Sequence, residues 1–373
     1  MARPNILSIP ERLDAYPDVT GEGVVMAFVD VGFYPHPDLM HPARRIKAYA
    51  DATRDVPDGT EFFSPQVFGW HGTMTACCAA GNGYRSGGSY RGIASDAEVV
   101  LVKAGVDGGR VRGQHVAHAI RFPLRYPDLN VKILNVSLGV DPDDPHYQDV
   151  ERAVEEVTLA GIAVFAAAGN VPGRKVGAPG SAKSAITVGG QHDRFSPGAS
   201  DDKVWPSSHG SHHDGVQKPD LLAPAIWVPA PMLPGTLTAR EAAPLFALLS
   251  ILEELSAEHG FSERHSLSTP EERESIGALI KSVHGRIRKQ KYISPEYQHV
   301  DGTSFASPIA ASVGAQMLEV APSLTPAQIK EGIVATAEAL PNVAAHVQGA
   351  GILKPRAAVD WARARAKSQP QKR

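Results

Sequence analysis

Cysteines are scarce in this chain, with two among 373 residues, the neighbours Cys77 and Cys78. Adjacent cysteines rarely meet disulfide geometry, so we expect buried thiols in a reducing compartment rather than a disulfide-stapled fold. An excess of charge of one sign is also absent, with 37 basic against 40 acidic residues. No apolar run is long enough to span a bilayer, and the N-terminus lacks a signal-peptide pattern. We therefore expect a cytoplasmic protein that binds neither nucleic acid nor membrane.

What the chain does contain is a globular composition, 43% apolar and 21% charged, with regularly spaced apolar runs. Strands buried on both faces are predicted at 23–29, 98–103, 132–139, 162–170 and 185–190. Helices are predicted at 145–160, 303–319 and 325–337. This alternation predicts an α/β fold with a doubly wound, mostly parallel sheet flanked by helices. In such a sheet, sites form at the carboxyl ends of the strands.

Residues 232–297 differ from the rest, because their centre is rich in Leu, Glu and Lys. Helical periodicity predicts one helix from Pro244 to about Glu258 and a second that opens at Thr269-Pro270. Their apolar stripes are Leu245, Leu248, Leu249, Leu252 and Leu255, then Ile276, Leu279, Ile280, Val283 and Ile287. We expect a helical hairpin inserted into one catalytic domain, residues 1–362, followed by a basic disordered tail, residues 363–373.

Three polar residues stand in contexts that suit chemistry. Ser304 opens a predicted helix among small residues, where amides and the helix dipole favour developing negative charge. His71 is a natural general base near neutral pH. Asp30 closes an apolar strand, where a buried acid needs a partner such as an imidazole N–H. Alone, each has an ordinary explanation: a helix-capping serine, one of fifteen histidines and a turn aspartate.

The three residues occur within longer motifs. In chain order, GxGVxxAxVDxGxxxHPDL, HGTxxA and GTSFASP resemble the active-site motifs of the subtilisin-like serine peptidases. The segments ILNVSLG, AAAGN and HHDGVQKPDLLAP extend the resemblance, which covers about 20–230 and 298–360. It implies that Ser304 attacks the scissile carbonyl, that His71 carries the proton and that Asp30 orients His71. It also implies that Asn170 and the Ser304 backbone N–H bind the oxyanion.

The resemblance further implies where a peptide substrate binds. Two segments would line the main specificity pocket, and a glycine-rich segment would pair with the substrate as an added strand. The residues concerned are Ser137, Leu138 and Gly139, then Ala167, Ala168 and Gly169, and on the other edge Gly105 and Gly108. Tight packing of the sheet is the alternative explanation for these small residues.

Departures from the family pattern concern metals and processing. The loop GNGYRSGGSYRG has few carboxylates, so calcium binding is not evident, and no cofactor is expected to be required. The spacing of His209, His212 and His213 suits zinc, but no further ligand is obvious and no metal is predicted. Only 29 residues precede Asp30, which leads us to expect an intracellular member without a pro-domain.

The function that follows from the resemblance is a serine endopeptidase acting on peptide or protein substrates. One alternative is a peptide cyclase or transpeptidase, in which inserted helices exclude water from the same acyl-enzyme. Another is a non-catalytic binding protein on this fold. For the insertion at 232–297 we expect a wall or lid beside the cleft, or a docking site for a partner protein; a decorative surface insertion is the alternative.

Overall fold

The structure is a computed structural model that describes residues 6–54, 63, 65–193, 202–211, 213, 215–261 and 270–368. Its strands, in chain order, are β1 Val25–Asp30, β2 Ile46–Asp51, β3 Glu98–Lys103, β4 Gly105–Val106, β5 Arg110–Val111, β6 Val131–Val136, β7 Ala163–Ala167, β8 Ile186–His192, β9 Lys203–Trp205, β10 Leu221–Pro224, β11 Val228–Pro231 and β12 Tyr297–Val300.

The main sheet has the order β10-β8-β7-β6-β1-β3-β2, and all of these strands are parallel. Only β9 runs the other way, pairing antiparallel with β8 among the described strands. The chain builds the sheet in one direction through β3 and β2, then returns to the other side of β1 through β6. Reversals of this kind open a crevice at the carboxyl ends of the strands. The predicted doubly wound α/β fold is therefore confirmed.

Helices cover both faces of this sheet. They are α1 Ile9–Arg12, α2 Pro37–Met40, α3 Trp70–Ala80, α4 Gly113–Ile120, α5 Phe122–Arg125, α6 Tyr147–Leu159, α7 Leu237–Phe261, α8 Pro270–Lys289, α9 Thr303–Val320, α10 Pro326–Thr336, α11 Ala345–Gln348 and α12 Pro355–Ser368. Alternate residues of β1 point to opposite cores: Met26 and Phe28 join the α3 and α9 side, whereas Ala27 and Val29 join the α4 and α6 side. This double burial explains why the strands are apolar throughout.

Each predicted strand and each predicted helix of the main body has a counterpart in the structure. The helix at 325–337 begins with a capping box, in which Thr325 and Gln328 bond each other's backbone N–H, and Pro326 occupies its first turn. The last helix, however, runs to Ser368, so residues 363–368 are helical rather than part of a disordered tail. Residues 369–373 lie outside the described residues.

The insertion forms the two expected helices, α7 and α8, between β11 and β12. The predicted start of the first helix was wrong, because α7 begins at Leu237 and contains Pro244. Thr236 explains the earlier start, since its hydroxyl accepts the N–H of Ala239 and so caps the new N-terminus. The strands β11 and β12 pair antiparallel beneath the helices and form the root of the insertion.

Two further expectations from the sequence concern the environment of the chain. None of the helices within the described ranges is long and apolar enough to cross a membrane. Cys77 and Cys78 are both buried free thiols, as expected.

Candidate active site

Three neighbouring strands bring the predicted polar residues to one edge of the sheet. Asp30 is the last residue of β1, Ser137 follows β6, and Asn170 stands three residues beyond β7. His71 lies in the first turn of α3, and Ser304 is the second residue of α9. Because parallel strands end at a common edge, residues that are far apart in sequence become neighbours there.

The imidazole of His71 and the carboxylate of Asp30 are in direct contact. His71 Nδ1 lies 2.8 Å from Asp30 Oδ1 and 3.0 Å from Oδ2. The carboxylate is completely buried, and it also accepts the N–H of Val31 at 2.8 Å and the hydroxyl of Thr75 at 3.3 Å. These bonds compensate for the burial of a charge at the end of an apolar strand.

Opposing effects act on the protonation of His71. Burial lowers the pKa of His71, but the charge of Asp30 and its hydrogen bond together raise the pKa above the usual 6.5.

The approach of α3 to β1 depends on Gly72, since a Cβ there would lie 2.3 Å from the Gly32 carbonyl oxygen and 2.8 Å from Asp30 Cβ. Glycine therefore allows the imidazole and carboxylate to meet.

Ser304, the second residue of α9, is partly exposed. Its hydroxyl donates to the carbonyl oxygen of Ser137 at 3.5 Å, while its own carbonyl accepts the Ser137 hydroxyl at 2.8 Å. Within the described residues Ser304 makes no hydrogen bond to His71. The next side chain, Phe305, has its ring centroid 5.6 Å from that of His71. Catalytic hydrogen bonds of this kind commonly tighten only with substrate in place.

The side-chain amide of Asn170 is held in one orientation. Its Oδ1 accepts both the N–H of Thr303, at 2.9 Å, and the Thr303 hydroxyl, at 2.8 Å. That hydroxyl in turn accepts the N–H of Gly169 at 3.0 Å. Since Oδ1 is occupied, Nδ2 remains as the donor, and it faces Gly302, where a Cβ would lie 3.3 Å away.

Thr303 was missed by the sequence analysis, although it directly precedes Ser304 in GTSF. The signal was a hydroxyl residue beside the candidate nucleophile. Its partner, Asn170, lies far away in the sequence, so only the folded chain identifies what the hydroxyl bonds. Thr75, which donates to Asp30, was missed for the same reason.

The predicted substrate-binding residues fall into two groups in the structure. Leu138 is buried and Gly139 exposed after β6, and Ala167 closes β7 beside them. Ala168 donates its N–H to Val188 at 3.0 Å and so remains committed to the sheet. Gly169 adopts φ +102, a conformation in which an added Cβ would lie 2.9 Å from Ser208 Oγ.

The glycines of the opposite edge differ from each other. Gly105 belongs to β4, which pairs antiparallel with β5, and a Cβ there would lie 2.4 Å from the Val31 carbonyl oxygen. Close packing therefore accounts for Gly105 by itself. Gly108 lies in the turn between these strands with φ +70 and open space around it. The expected substrate strand along this edge stays a prediction.

One group of three potential metal ligands occurs in the described part of the chain, namely His36, Asp38 and Cys77. The Asp38 carboxylate already accepts the Tyr297 hydroxyl at 2.6 Å and the N–H of Arg85 at 3.1 Å. Burial raises the pKa of the Cys77 thiol well above its usual value and lowers the pKa of His36 to about 4. We read this group as a hydrogen-bonded core cluster. Whether the protein needs calcium or another cofactor stays untested.

A profile of the subtilase family matches residues 21–351 of the chain, a range that includes β1, α3, β7 and α9. The chain belongs to the subtilase family. This subtilase is 32% identical over 323 residues to the serine protease AprX of Bacillus subtilis (strain 168), a match that covers 84% of this chain. It is 29% identical over 175 residues to the minor extracellular protease Vpr of the same organism, covering 46% of this chain and 21% of Vpr.

Solved structures share the fold of this subtilase. Fervidolysin from Fervidobacterium pennivorans, a keratinolytic enzyme related to subtilisin, superposes with a TM-score of 0.64 at 20% identity, covering 96% of this chain. The prenylagaramide maturation protease PagA superposes with a TM-score of 0.59 at 18% identity, covering 91% of this chain and 93% of PagA. The subtilase spans 61% of the length of AprX and 47% of that of fervidolysin.

Proposed function

We propose that this subtilase is a serine endopeptidase that hydrolyses peptide bonds in peptide or protein substrates. The observation that supports this most directly is the 2.8 Å contact between His71 and the buried Asp30, together with a partly exposed Ser304 whose neighbour Phe305 contacts the His71 ring. A histidine whose pKa is raised above its usual value by a buried carboxylate is a stronger base and is suited to accept a serine proton.

In the proposed mechanism the Ser304 hydroxyl turns from the Ser137 carbonyl and attacks the scissile carbonyl carbon. His71 takes the serine proton, and Asp30 stabilises the imidazolium that forms. The tetrahedral oxyanion accepts hydrogen bonds from Asn170 Nδ2 and from the backbone N–H of Ser304. His71 then protonates the leaving amine, and the acyl-enzyme is hydrolysed by water that His71 activates.

Asn170 supports this assignment because its amide is oriented before any substrate binds. Thr303 holds Oδ1 from two donors, so no reorganisation of the side chain is needed when negative charge develops. Donors that are fixed in advance contribute more to catalysis than donors that must be reoriented.

Three measurements test the proposal: probe labelling, product masses and the rate of the Ser304→Ala variant. A fluorophosphonate probe should label the wild-type chain and not the Ser304→Ala variant, whereas a non-catalytic binding protein would not be labelled in either form. Incubation with a peptide library should then give linear fragments whose masses include one added water. Cyclic products that lack this water would favour the peptide cyclase or transpeptidase alternative.

Ser304→Ala should lower kcat by about 10⁶-fold, a loss measured in subtilisin itself.

A wall or lid formed by the insertion stays a hypothesis within this proposal. It predicts that replacing residues 237–289 with a short Gly/Ser linker increases cleavage of folded proteins relative to short peptides. An unchanged ratio would contradict the lid. The cytoplasmic location expected from the sequence also stays a prediction.

A further inference from the structure

The hairpin of α7 and α8 buries only part of its apolar stripes. Leu249, Leu252, Val283 and Ile287 are buried between the helices and their root. Leu237, the first residue of α7, is 84% exposed, and four apolar residues farther along the hairpin are exposed as well: Leu248 at 44%, Ile251 at 55%, Leu255 at 38% and Leu279 at 52%. Three of these, Leu248, Leu255 and Leu279, belong to the apolar stripes predicted from the sequence.

These four side chains lie on one side of the hairpin. Leu248, Ile251 and Leu255 follow the i, i+3, i+7 spacing of a single helix face. Leu248 and Ile251 directly precede buried residues of α7, and Leu279 directly precedes the half-buried Ile280 of α8. When two antiparallel helices pack against each other, the residue before each buried residue points to the same side of the pair in both helices. The four residues therefore form one strip, which we call the hairpin strip.

The helices are antiparallel along this strip, as their contacts show. Glu241 near the start of α7 pairs with Arg286 near the end of α8, and it also accepts the hydroxyl of Tyr292, just beyond α8, at 2.9 Å. The strip therefore runs along the hairpin between its root, at β11 and β12, and its tip. Contiguous apolar surface of this kind on a monomer commonly marks an interaction site.

Charges at the two ends of the strip have opposite signs. Near the tip, Glu271 and Glu272 begin α8, and Glu272 stands two turns before Leu279 on the same face. Near the root, Arg240 lies three turns before Ile251 on the same face of α7. Lys289 lies five turns after Glu271 on the same face of α8. All four charged residues are exposed. The face is thus acidic at the tip, apolar in the middle and basic at the root.

This pattern is complementary to itself when one copy is rotated by a half turn. In an antiparallel pair of hairpins, each acidic tip meets the basic root of the other hairpin, and the two apolar strips meet at the centre. We propose that a second copy of this chain docks on the hairpin strip and forms a two-fold, four-helix bundle. The proposal does not depend on the peptidase activity.

The dimensions of the hairpin suit such an interface. Helices of 25 and 20 residues give a face about 30 Å long and about 20 Å wide, so two faces bury about 1,200 Å² in total, the lower end of specific interfaces. We therefore expect a dimer of moderate affinity whose association weakens with salt, since its ends depend on exposed charges.

The first test measures mass by sedimentation equilibrium of the full chain carrying Ser304→Ala, which prevents self-cleavage. We expect a concentration-dependent dimer at low ionic strength. The double substitution Leu248→Gln with Ile251→Gln should give a monomer with an unchanged circular dichroism spectrum. The matched control is Leu159→Gln on α6, an 88% exposed leucine away from the hairpin, which should leave the dimer intact. A parent chain that stays monomeric at high micromolar concentration, or a dimer that the double substitution leaves intact, overturns the proposal.

The second test is a charge exchange that misfolding cannot imitate. Glu271→Lys with Glu272→Lys should give a monomer, because both ends of the bundle then carry positive charge. Arg240→Glu with Lys289→Glu should likewise give a monomer, with both ends negative. Mixing the two variants should restore a dimer that contains one copy of each, detected with a mass tag on one of them. Two monomeric variants that fail to associate on mixing would show that the tip and root do not meet.

Discussion

In the main sheet, apolar residues alternate between two cores, and β1 is buried along its whole length. In the α7–α8 hairpin, by contrast, buried and exposed apolar residues stand side by side, as Leu249 and Leu248 do. Both regions have regular hydrophobic patterns. The apolar side chains of the sheet are all buried within one chain, because helices pack on both faces. In a pair of helices, each helix buries only the side of the other that faces it. An apolar pattern therefore predicts that side chains are buried, but it does not show whether the same chain or a second molecule buries them.

After the loss of Ser304 itself, the largest expected effect concerns the buried pair of Asp30 and His71. Asp30→Asn removes the charge that raises the pKa of His71, and kcat should fall by about 10⁴-fold, as for the corresponding change in another serine peptidase family. In the wild type, kcat/KM should fall as pH drops through a His71 pKa above 6.5, because only neutral imidazole accepts the proton. In Asp30→Asn this acid limb should move to lower pH.

The same pair predicts a pH dependence of stability. The folded-state pKa of His71 lies above its unfolded value, so the interaction stabilises the fold fully below pH 6.5 and loses this contribution as pH rises through the folded pKa. Urea denaturation of the wild type and Asp30→Asn across this range measures the difference. If the acid limb of the kcat/KM profile lies at the same pH in the wild type and in Asp30→Asn, the assigned role of Asp30 is contradicted.

The next effect concerns orientation of the oxyanion donor. Asn170→Ala should lower kcat by about 10²–10³-fold with little change in KM, a range that was itself measured on a subtilisin. Thr303→Val keeps the shape but removes the hydroxyl that holds Oδ1, so it should reduce kcat by a smaller factor. Thr303→Ser, which restores the hydroxyl, is the matched control and should recover most of the rate. Equal rates for the valine and serine variants would exclude this positioning role.

A pair of leucines tests the contrast between the two sides of the hairpin. Leu252 is 6% exposed and Leu248 is 44% exposed, although they are one turn apart on α7. At low protein concentration, Leu252→Ala should lower the free energy of unfolding by about 2–5 kcal/mol, and Leu248→Ala by about 0.5 kcal/mol or less. At high concentration the cost of Leu248→Ala should grow, because the dimer would bury it. Equal costs at both concentrations would remove the distinction between the two sides.

The smallest effect concerns the junction between hairpin and site. Lys291, just beyond α8, pairs with Asp301 and lies 4.4 Å from the ring centroid of Trp227. Asp301 stands three residues before Ser304. Partly exposed ion pairs contribute at most about 1 kcal/mol, so Lys291→Gln should lower kcat by about fivefold or less. Lys289→Gln, two residues earlier, should not change kcat. If both substitutions change kcat equally, the contact between Lys291 and Asp301 does not link the hairpin to the site.

Much of the fold could be predicted because its signals are local. Apolar runs such as GVVMAFV identified strands, and Thr325-Pro326 identified a helix start. The start of α7 was misplaced at Pro244, because proline usually opens a helix, whereas here it lies inside one that Thr236 caps. Residues 363–368 read as a solvated basic tail, yet they continue α12, whose residues Ala358, Val359 and Ala362 pack into the core.

The sequence by itself determined the family, the parallel α/β architecture and the candidate residues Asp30, His71, Asn170 and Ser304, because each belongs to a motif of neighbouring residues. Only the tertiary structure decided that Thr303 orients Asn170, that Gly105 packs on Val31 and that Leu248 and Leu279 face outward. The physical reason is that hydrogen bonds and burial depend on what lies across space. Strand order and helix crossing, which no local pattern encodes, set those neighbours.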